Sequence, residues 1–291
     1  MTTASPAGGV GWTTCDPELR MWVEQTIRRV EDALGLAHVG TYLHGSLASG
    51  TFRPPKSDVD VIIVVDTTLD VPLRHLCART MALMNVIRPI VGSFECSIVR
   101  RDALRPPTHP IPYEVYFREE MTDPILAGTA DLGGTPLDFD LVAQVQATWE
   151  FGIPLSGPPV REIFMPPDPE DVMDALRSDL EWILRGEHIL ESPYHGVLNV
   201  ARVLWVLEGH ADRLAPSGEE AGEWMLAWVP ERHRDVVRLA LAAYRDDTLI
   251  PEEERRTAGM DWPRDDLLAF RDWASGRTRD LAPDPIFRSE A

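Results

Sequence analysis

The sequence predicts an α/β (α+β) sheet domain followed by an all-α helical bundle domain. Up to about residue 135, strand-like runs alternate with segments of helical periodicity, as in a sheet with helices packed against it. After Asp138 only helical patterns recur, separated by clusters of proline and glycine. The 291 residues exceed a typical single domain. We therefore predict two domains, at residues 1–157 and 158–291.

The first domain is predicted to contain two helices and four strands. Asp16-Pro17-Glu18 has the pattern of a helix N-terminus, and the apolar spacing that follows continues to about Gly35. The second helix is predicted over residues 71–86. The strands are predicted at residues 39–43, 59–65, 93–99 and 113–117. The run at 59–65 is nearly all β-branched, which is typical of a strand buried on both faces. The Gly, Ser, Thr, Pro and Lys residues before it predict a turn.

The second half is predicted to be helical. The helices are expected at residues 139–151, 170–185, 194–207, 219–228, 231–244 and 264–273. The proline-rich stretch 154–169 predicts a connector between the halves, although a loop inside one domain would have the same composition. Residues 284–291 are predicted to be a disordered end.

The charge balance excludes one class of partner. Twenty-eight basic residues against 47 acidic ones give a formal charge of −19 and a pI near 4.8, which argues against a nucleic-acid partner. An acidic surface attracts divalent metals and small cationic substrates, although solubility alone would also explain it.

The cysteines and the apolar runs bear on compartment. Cys15, Cys77 and Cys96 form no C-x-x-C pair, which suits free thiols in a reducing compartment. Neither a leader pattern at the N-terminus nor a membrane-length apolar run is present. We therefore expect a cytoplasmic protein with no membrane partner, and we expect a monomer.

One constellation of residues carries chemistry. Gly45-Ser46 is followed by eleven residues and then by Asp58-Val59-Asp60 at the head of the buried strand. Residues two apart on a strand point the same way, so Asp58 and Asp60 present two carboxylates to one side. Two converging carboxylates need a cation, and magnesium is the hard cation that also leaves positions open for phosphate oxygens.

The turn residues complete the predicted pocket. Gly45 allows the backbone to approach a phosphate, and the Ser46 hydroxyl and nearby amides can donate to its oxygens. Ser57 extends the same polar turn. Lys56 is either a phosphate ligand or an ordinary exposed turn lysine. The segment therefore predicts a site for a metal and a triphosphate.

A third acid is expected if an acceptor hydroxyl is to be deprotonated and a second metal held. Glu95 is the candidate because its neighbours Phe94 and Cys96 are apolar or small. The alternative is a half-solvated strand in which Glu95 simply alternates outward.

These residues resemble a known family. The Gly-Ser…Asp-x-Asp pattern with a later strand acid is similar to that of the DNA polymerase β-like nucleotidyltransferases. Over nearly the whole chain the order of motifs resembles their aminoglycoside adenylyltransferase branch, the streptomycin- and spectinomycin-modifying enzymes. The supporting segments are YFRE at 116–119, DPILAG at 123–128, PLSGP at 154–158, GVLNVAR at 196–202, EAGEW at 220–224 and AAY at 242–244.

The resemblance implies roles for individual residues. Asp58, Asp60 and Glu95 would be metal ligands, with Glu95 also the base that takes the proton from the acceptor hydroxyl. Gly45, Ser46 and Ser57 would bind the nucleotide, completed by three residues that we group with the helical half: Asp140, Arg202 and Tyr244. Without the family, the apolar neighbours of Arg202 require an anionic partner for its guanidinium, either a phosphate or a buried carboxylate.

The acceptor side is less well defined. Tyr116 stands where an aromatic would stack on the antibiotic, and His195 where a polar group would face it; a core or rim position is the alternative for each. The tryptophan and aspartate that mark streptomycin-accepting members correspond here to Ile183 and His188, which favours spectinomycin. A lysine that meets the triphosphate in some members corresponds to Gly218.

The resemblance and the site together predict a reaction. Two magnesium ions and ATP are expected, with AMP transferred to a hydroxyl of an aminoglycoside or aminocyclitol antibiotic. The alternatives are transfer to another small alcohol or a protein side chain, or a non-catalytic nucleotide-binding sensor. We expect anionic side chains around a cationic acceptor. The candidates for these are Glu114, Glu119, Glu120 and Glu187.

Overall fold

A computed structural model describes residues 9–210 and 214–281 of the chain. It divides into two compact units, Met1–Asp168 and Pro169–Ala291, each of which is considered by itself. The predicted disordered end at 284–291 lies outside the described residues. None of the helices in the described ranges is both long enough and apolar enough to cross a lipid bilayer.

The first unit combines six helices with seven strands among the residues described. The helices are α1 (Pro17–Leu34), α2 (Gly45–Ser49), α3 (Val71–Val86), α4 (Thr122–Leu126), α5 (Leu141–Phe151) and α6 (Val160–Ile163). The strands are β1 (His38–His44), β2 (Val59–Val65), β3 (Phe94–Arg100), β4 (Ile111–Pro112), β5 (Val115–Phe117), β6 (Leu137–Asp138) and β7 (Ile153–Ser156). Short 3-10 segments lie at Gly35–Ala37, Arg101–Ala103 and Glu119–Met121.

Five strands form one mixed sheet in the order β5-β3-β2-β1-β7. Strands β2 and β3 are parallel and are connected through α3, whereas β1–β2, β3–β5 and β1–β7 are antiparallel. Strand β2 is central, which explains its uninterrupted β-branched composition. A separate two-stranded ladder joins β4 and β6.

The two faces of this sheet differ. One face carries the odd-numbered residues of β2 and the even-numbered residues of β3, which pack with α1 and α3 into the apolar core of the unit. The other face carries Asp60 and Glu95, both only partly buried, followed along the strands by fully buried residues such as Ile62 and Val64. The acidic residues therefore lie at one end of a face that is otherwise apolar.

Three predictions about local structure are wrong. The segment after β1 was predicted to be a turn, but it begins as the short helix α2, which ends at Gly50 in the left-handed conformation. The proline-rich segment was predicted to be a connector, but it contributes the edge strand β7, where proline is tolerated because one side of the strand is unpaired. Helix α5 was grouped with the helical half, but it packs against β1 and α2 in the first unit.

The boundary between the units also lies later than residue 157. Residues 158–168 remain with the first unit because they pack on its sheet. The Tyr42 hydroxyl donates to the Pro158 carbonyl at 2.9 Å, and the Tyr42 and Phe164 rings meet edge to face at 4.9 Å. The Arg105 guanidinium donates to the Arg161 carbonyl at 3.0 Å.

The second unit is helical, as predicted. Its helices are α7 (Pro169–Leu184), α8 (Pro193–Leu207), α9 (Gly218–Leu226), α10 (Glu231–Arg245) and α11 (Arg264–Leu281), with 3-10 segments at His188–Leu190 and Glu252–Thr257. Helix α8 is central because eleven of its residues are buried, and it packs against α7, α9, α10 and α11. Leu180, Val197, Val237 and Phe270 are among the core residues of this unit.

The three cysteines are free and buried, in agreement with the sequence prediction. Burial raises the pKa of the Cys77 thiol to about 11 and raises that of Cys96 further. Both thiols therefore stay protonated and act as small apolar side chains.

A buried ion pair joins α3 to the residue that precedes β5. The Arg74 guanidinium lies 2.6 Å from Glu114 Oε2, and both side chains are only 4% exposed. Arg74 also donates to the carbonyls of Leu69 and Gly134, while Glu114 accepts the Leu69 amide at 3.0 Å. Because all of these partners are internal, the pair is a structural clamp, and Glu114 does not form part of an anionic wall as predicted.

We expect Arg74→Met to lower the free energy of unfolding by about 3–5 kcal/mol, because it leaves the Glu114 carboxylate buried without its cation. Urea unfolding followed by circular dichroism measures this change. The control is Asp102→Asn, which breaks the exposed pair with Arg100 and should cost about 1 kcal/mol or less. Equal effects of the two substitutions would contradict the assignment of a clamp.

Candidate active site

Three titratable side chains form a row across the sheet of the first unit. Asp60 of β2 is directly opposite Glu95 of β3 in the parallel pairing, and it is opposite His44 of β1 in the antiparallel pairing. Residues paired in register share a face of the sheet. Glu95 therefore lies on the same face as Asp60, next to it, and does not simply alternate outward on a solvated strand.

Asp58 lies just before β2 and is fixed by the neighbouring strand. Its Oδ1 accepts hydrogen bonds from the Ser93 backbone N–H at 2.6 Å and from the Ser93 hydroxyl at 3.1 Å. The Val59 N–H donates to the Ser93 carbonyl at 2.9 Å, which holds the same two segments together. Ser93 therefore orients Asp58, a function that no sequence motif had indicated.

The backbone of Gly45 lies so close to the Asp60 carboxylate that there is no room for a side chain at position 45. Its φ of +64° is in the left-handed region, and a Cβ added there would lie 2.0 Å from Asp60 Oδ2. The glycine thus permits both the turn out of β1 into α2 and the contact between its backbone and the carboxylate. Ser46 follows in the first turn of α2, at the site predicted for phosphate.

His44 contributes no positive charge to this row. It is 5% exposed, and burial lowers its pKa to about 3. Burial disfavours the charged imidazolium, so the ring is neutral at physiological pH.

The loop before Asp58 holds two buried basic residues. Arg53 and Lys56 are 3% and 5% exposed, so the interpretation of Lys56 as an exposed turn lysine is wrong. The Lys56 and Ser57 amides donate to the Arg53 carbonyl, and the Ser57 hydroxyl accepts the Arg53 amide at 3.0 Å. Arg53 was not predicted. Cations are rarely buried without anions nearby, and the acids that follow in sequence are candidates.

Tyr116 extends the site along the same face of the sheet, and two further acids act on it electrostatically. Tyr116 pairs with Ser97, two residues after Glu95, and burial followed by the charge of Glu95 raises its pKa. Asp138 and Asp140 act on Tyr116 in the same direction. Asp138, not Asp140, caps α5 by accepting the Asp140 and Leu141 amides at 2.7 and 3.1 Å. Asp140 itself is exposed at the start of α5, in the first unit and not in the helical half.

The carboxylates suit magnesium, although they do not form a closed cage. Over residues 9–210 and 214–281, no three His, Cys, Asp or Glu side chains are placed to hold a metal ion together. Magnesium in phosphoryl-transfer sites uses one or two carboxylates and completes its shell with water and substrate phosphates. Asp60 and Glu95, adjacent on one face, fit that requirement. The complete ligand set of Asp58, Asp60 and Glu95 stays a prediction.

In the second unit, a polar network surrounds the predicted nucleotide ligand Arg202. Arg202 Nε donates to the Pro216 carbonyl at 3.0 Å, and its Nη1 donates to Asn199 Oδ1 at 3.1 Å. Asn199 Nδ2 lies 3.1 Å from Asp179 Oδ2 and 2.9 Å from His195 Nε2. Arg202 and His195 are thus brought together through Asn199, which sequence analysis did not identify.

The structure also describes the surroundings of the other predicted residues of this unit. Tyr244 is half-buried near the end of α10. The His188 ring packs on Trp182 at 4.6 Å between centroids, and its Nδ1 lies 2.8 Å from the Trp182 carbonyl. Ile183 is buried in the core. Gly218 begins α9, where a Cβ would lie 3.3 Å from Leu198, so a larger residue would require Leu198 to shift.

The other glutamates proposed as anionic walls also have arginine partners. Glu119 pairs with Arg88 at 2.8 Å and Glu120 with Arg118 at 3.4 Å. Glu187 pairs with Arg264. Their charges are therefore at least partly offset, and the structure gives no support to these four glutamates as a cation-binding wall.

Two models of known domain families match parts of the chain. The model of the nucleotidyltransferase domain matches residues 23–89, which include the Gly45 to Asp60 constellation. The model of the aminoglycoside adenylyltransferase C-terminal domain matches residues 162–260, which include Asn199 and Arg202. The two matches follow each other in the order that the sequence motifs predicted.

Similar curated proteins extend the match over most of the chain. The aminoglycoside (3'') (9) adenylyltransferase of Escherichia coli is 25% identical over 248 residues, covering 84% of this chain and 90% of that protein. The spectinomycin 9-adenylyltransferase of Staphylococcus aureus is 27% identical over 228 residues, covering 77% of this chain and 84% of that protein.

A solved structure shares the fold. The crystal structure of spectinomycin adenyltransferase from Enterococcus faecialis with ATP and spectinomycin gives a TM-score of 0.74 at 17% identity, covering 89% of this chain and 98% of that one. The α/β sheet domain followed by a helical domain is thus confirmed as a nucleotidyltransferase fold. The chain is similar to aminoglycoside and spectinomycin adenylyltransferases over most of its length, and it is an enzyme of the nucleotidyltransferase type.

Proposed function

We propose that this enzyme transfers AMP from ATP to a hydroxyl of an aminocyclitol antibiotic, in a magnesium-dependent reaction, and that it accepts spectinomycin in preference to streptomycin. The observation that carries the proposal is the register of β2 and β3, which places Asp60 beside Glu95 on one face of the sheet. The similar proteins named as aminoglycoside and spectinomycin adenylyltransferases support the choice of donor and acceptor.

The side chains of this chain divide the work of an in-line displacement. Glu95 takes the proton from the acceptor hydroxyl, which attacks the α-phosphate as pyrophosphate leaves. Gly45, Ser46 and Ser57 bind phosphate oxygens, and the resemblance assigns Asp140, Arg202 and Tyr244 to the rest of the ATP site. Ser93 keeps Asp58 oriented through its amide and hydroxyl. Positioning and electrostatics therefore supply most of the catalysis.

Asp58, Asp60 and Glu95 would hold the magnesium, which supplies neutralisation of the charge that develops on the transferring phosphoryl group. Without a cation this arrangement is costly, because each of the three carboxylates lies one residue from the start of β2 or β3 and like charges repel. The buried Arg53 and Lys56 are further candidates for offsetting this charge.

The acceptor preference rests on two positions, whereas the overall charge favours only the wider class of cationic acceptors. Ile183 and His188 stand where the resemblance expects the tryptophan and aspartate of streptomycin-accepting members. Ile183 has no aromatic ring and is buried, so it does not provide the aromatic surface of this tryptophan. The formal charge of −19 favours approach of a cationic acceptor in general.

A pyrophosphate-release screen with ATP and magnesium tests this function. We expect turnover with spectinomycin and little or none with streptomycin. Asp60→Asn should lower turnover by roughly 10²- to 10³-fold with the circular dichroism spectrum unchanged. The control is Asp66→Asn, which lies just past the far end of β2 and pairs with Arg101 on the surface; it should keep wild-type turnover.

Several outcomes would redirect the proposal. Turnover with streptomycin alone would contradict the acceptor preference. Release of pyrophosphate only with a protein or another small alcohol would show that the acceptor is not an aminocyclitol antibiotic. Magnesium-dependent ATP binding without release from any acceptor would indicate a nucleotide sensor.

Gly45→Ala tests the contact between the backbone and Asp60. The added Cβ would meet Asp60 Oδ2, so the carboxylate must move, and we expect turnover to fall by roughly 10-fold or more. Gly128→Ala is the control because Gly128 has a similar φ of +71° with nothing within 4 Å of its added Cβ. Both variants should lose about 1 kcal/mol of stability from backbone strain. Equal turnover in the two variants would show that the contact has no catalytic importance.

A further inference from the structure

Asn199 is the centre of the polar network on α8. It is 6% exposed and lies among the buried apolar residues Val197, Leu198 and Val200. Asparagine is a poor residue for a helix interior, and burying its amide is costly unless every polar atom is paired. Its presence in this apolar environment therefore calls for partners that use both ends of the amide.

The partners fix which end of the amide faces which residue. An arginine side chain can only donate, so the atom 3.1 Å from Arg202 Nη1 must be the carbonyl oxygen Oδ1. The amide nitrogen Nδ2 then faces Asp179 Oδ2 at 3.1 Å and His195 Nε2 at 2.9 Å. Both hydrogens of Nδ2 are thereby accounted for.

This orientation also selects a form of His195. Because Asn199 Nδ2 donates, His195 Nε2 must be the unprotonated acceptor nitrogen, and the ring proton of the neutral form lies on Nδ1. The ring is on the exposed side of α8, two helical turns before Arg202. One buried amide thus sets the geometry of a surface imidazole and of a half-buried guanidinium.

We propose that Asn199 is a positioning residue for the transfer reaction: anchored on Asp179, it orients Arg202 toward the nucleotide and His195 toward the acceptor. The assignment rests on the proposed function, which gives Arg202 and His195 to those two ligands. Asn199 itself touches neither ligand. Its effect is on the affinity for both substrates, exerted through two side chains that it holds in one arrangement.

Two variants distinguish the contact of Asn199 with Arg202 from its contact with His195. Asn199→Leu removes both, so KM for ATP and KM for the acceptor should each rise roughly tenfold, which corresponds to about 1.4 kcal/mol, with kcat changed less. The double variant Asn199→Asp/Asp179→Asn keeps an oxygen facing Arg202 without placing two carboxylates in contact, but residue 199 can no longer donate to His195. It should therefore restore KM for ATP to within about threefold of wild type and leave KM for the acceptor raised.

A spectroscopic readout tests the same arrangement without turnover. In protein labelled with ¹⁵N-histidine, the His195 signals, assigned with His195→Gln, should show the neutral Nδ1–H form in the wild type. In Asn199→Leu they should shift toward the Nε2–H form. If the wild type shows no transfer to any acceptor, the proposed function fails, and this measurement still decides whether Asn199 orients His195.

Thr278→Val is the control for a loss of stability alone. Thr278 is buried in α11, and its hydroxyl donates to the Ala274 carbonyl at 2.8 Å, away from the network. At matched loss of stability it should leave both KM values and the His195 signals unchanged. The proposal is overturned if Asn199→Leu behaves like Thr278→Val in kinetics, or if the His195 form is the same in wild type and Asn199→Leu.

Discussion

The parallel pairing of β2 with β3 is the constraint on which the site depends. A shift of one residue in that register would move Glu95 to the face occupied by the apolar core and separate it from Asp60. The register is secured from the other face, where Val59, Val61, Phe94 and Cys96 are completely or almost completely buried. Packing of the core against α1 and α3 therefore determines where the carboxylates stand.

The polar residues of the site lie at the ends of these strands, outside the apolar core. The parallel strands β2 and β3 begin at the same end of the sheet. Asp58, Asp60 and Glu95 therefore lie close together, each one residue from the start of its strand. Strand β1 runs the opposite way and ends there, which delivers Gly45 against the Asp60 carboxylate. Strand direction, together with the register, thus brings three separate short segments of the sequence to one end of the sheet.

Sequence patterns predicted the elements with strong periodicity. The bounds of β2 and α3 agree with the prediction because a β-branched run favours a strand and sixteen residues of helical apolar spacing favour a helix. Strand β7 was missed because local composition rich in proline indicates a loop, whereas pairing with β1 is a long-range effect. The proximity of Asp60 and Glu95 was expected from the family resemblance, but their shared face requires the register, which no single sequence states.

Polar residues within helices were the least predictable part of the site. Asn199 lies in a run that reads simply as an apolar helix, so only its contacts with Asp179, His195 and Arg202 reveal its importance. Glu114 shows the converse. This acid lies two residues before Tyr116 and was expected to face a ligand, but it is buried against Arg74, which is 40 residues earlier in the chain. The contact arises from tertiary packing, which the local sequence does not show.

The central claim is that Asp60 and Glu95 act as one unit in the same chemical step. A double-mutant cycle on single-turnover rates with Asp60→Asn, Glu95→Gln and the combined variant tests this claim most directly. Because both carboxylates serve one transition state, the combined variant should be no slower than the slower single variant by more than about threefold. Losses that multiply would show that the two carboxylates act independently and would contradict the account.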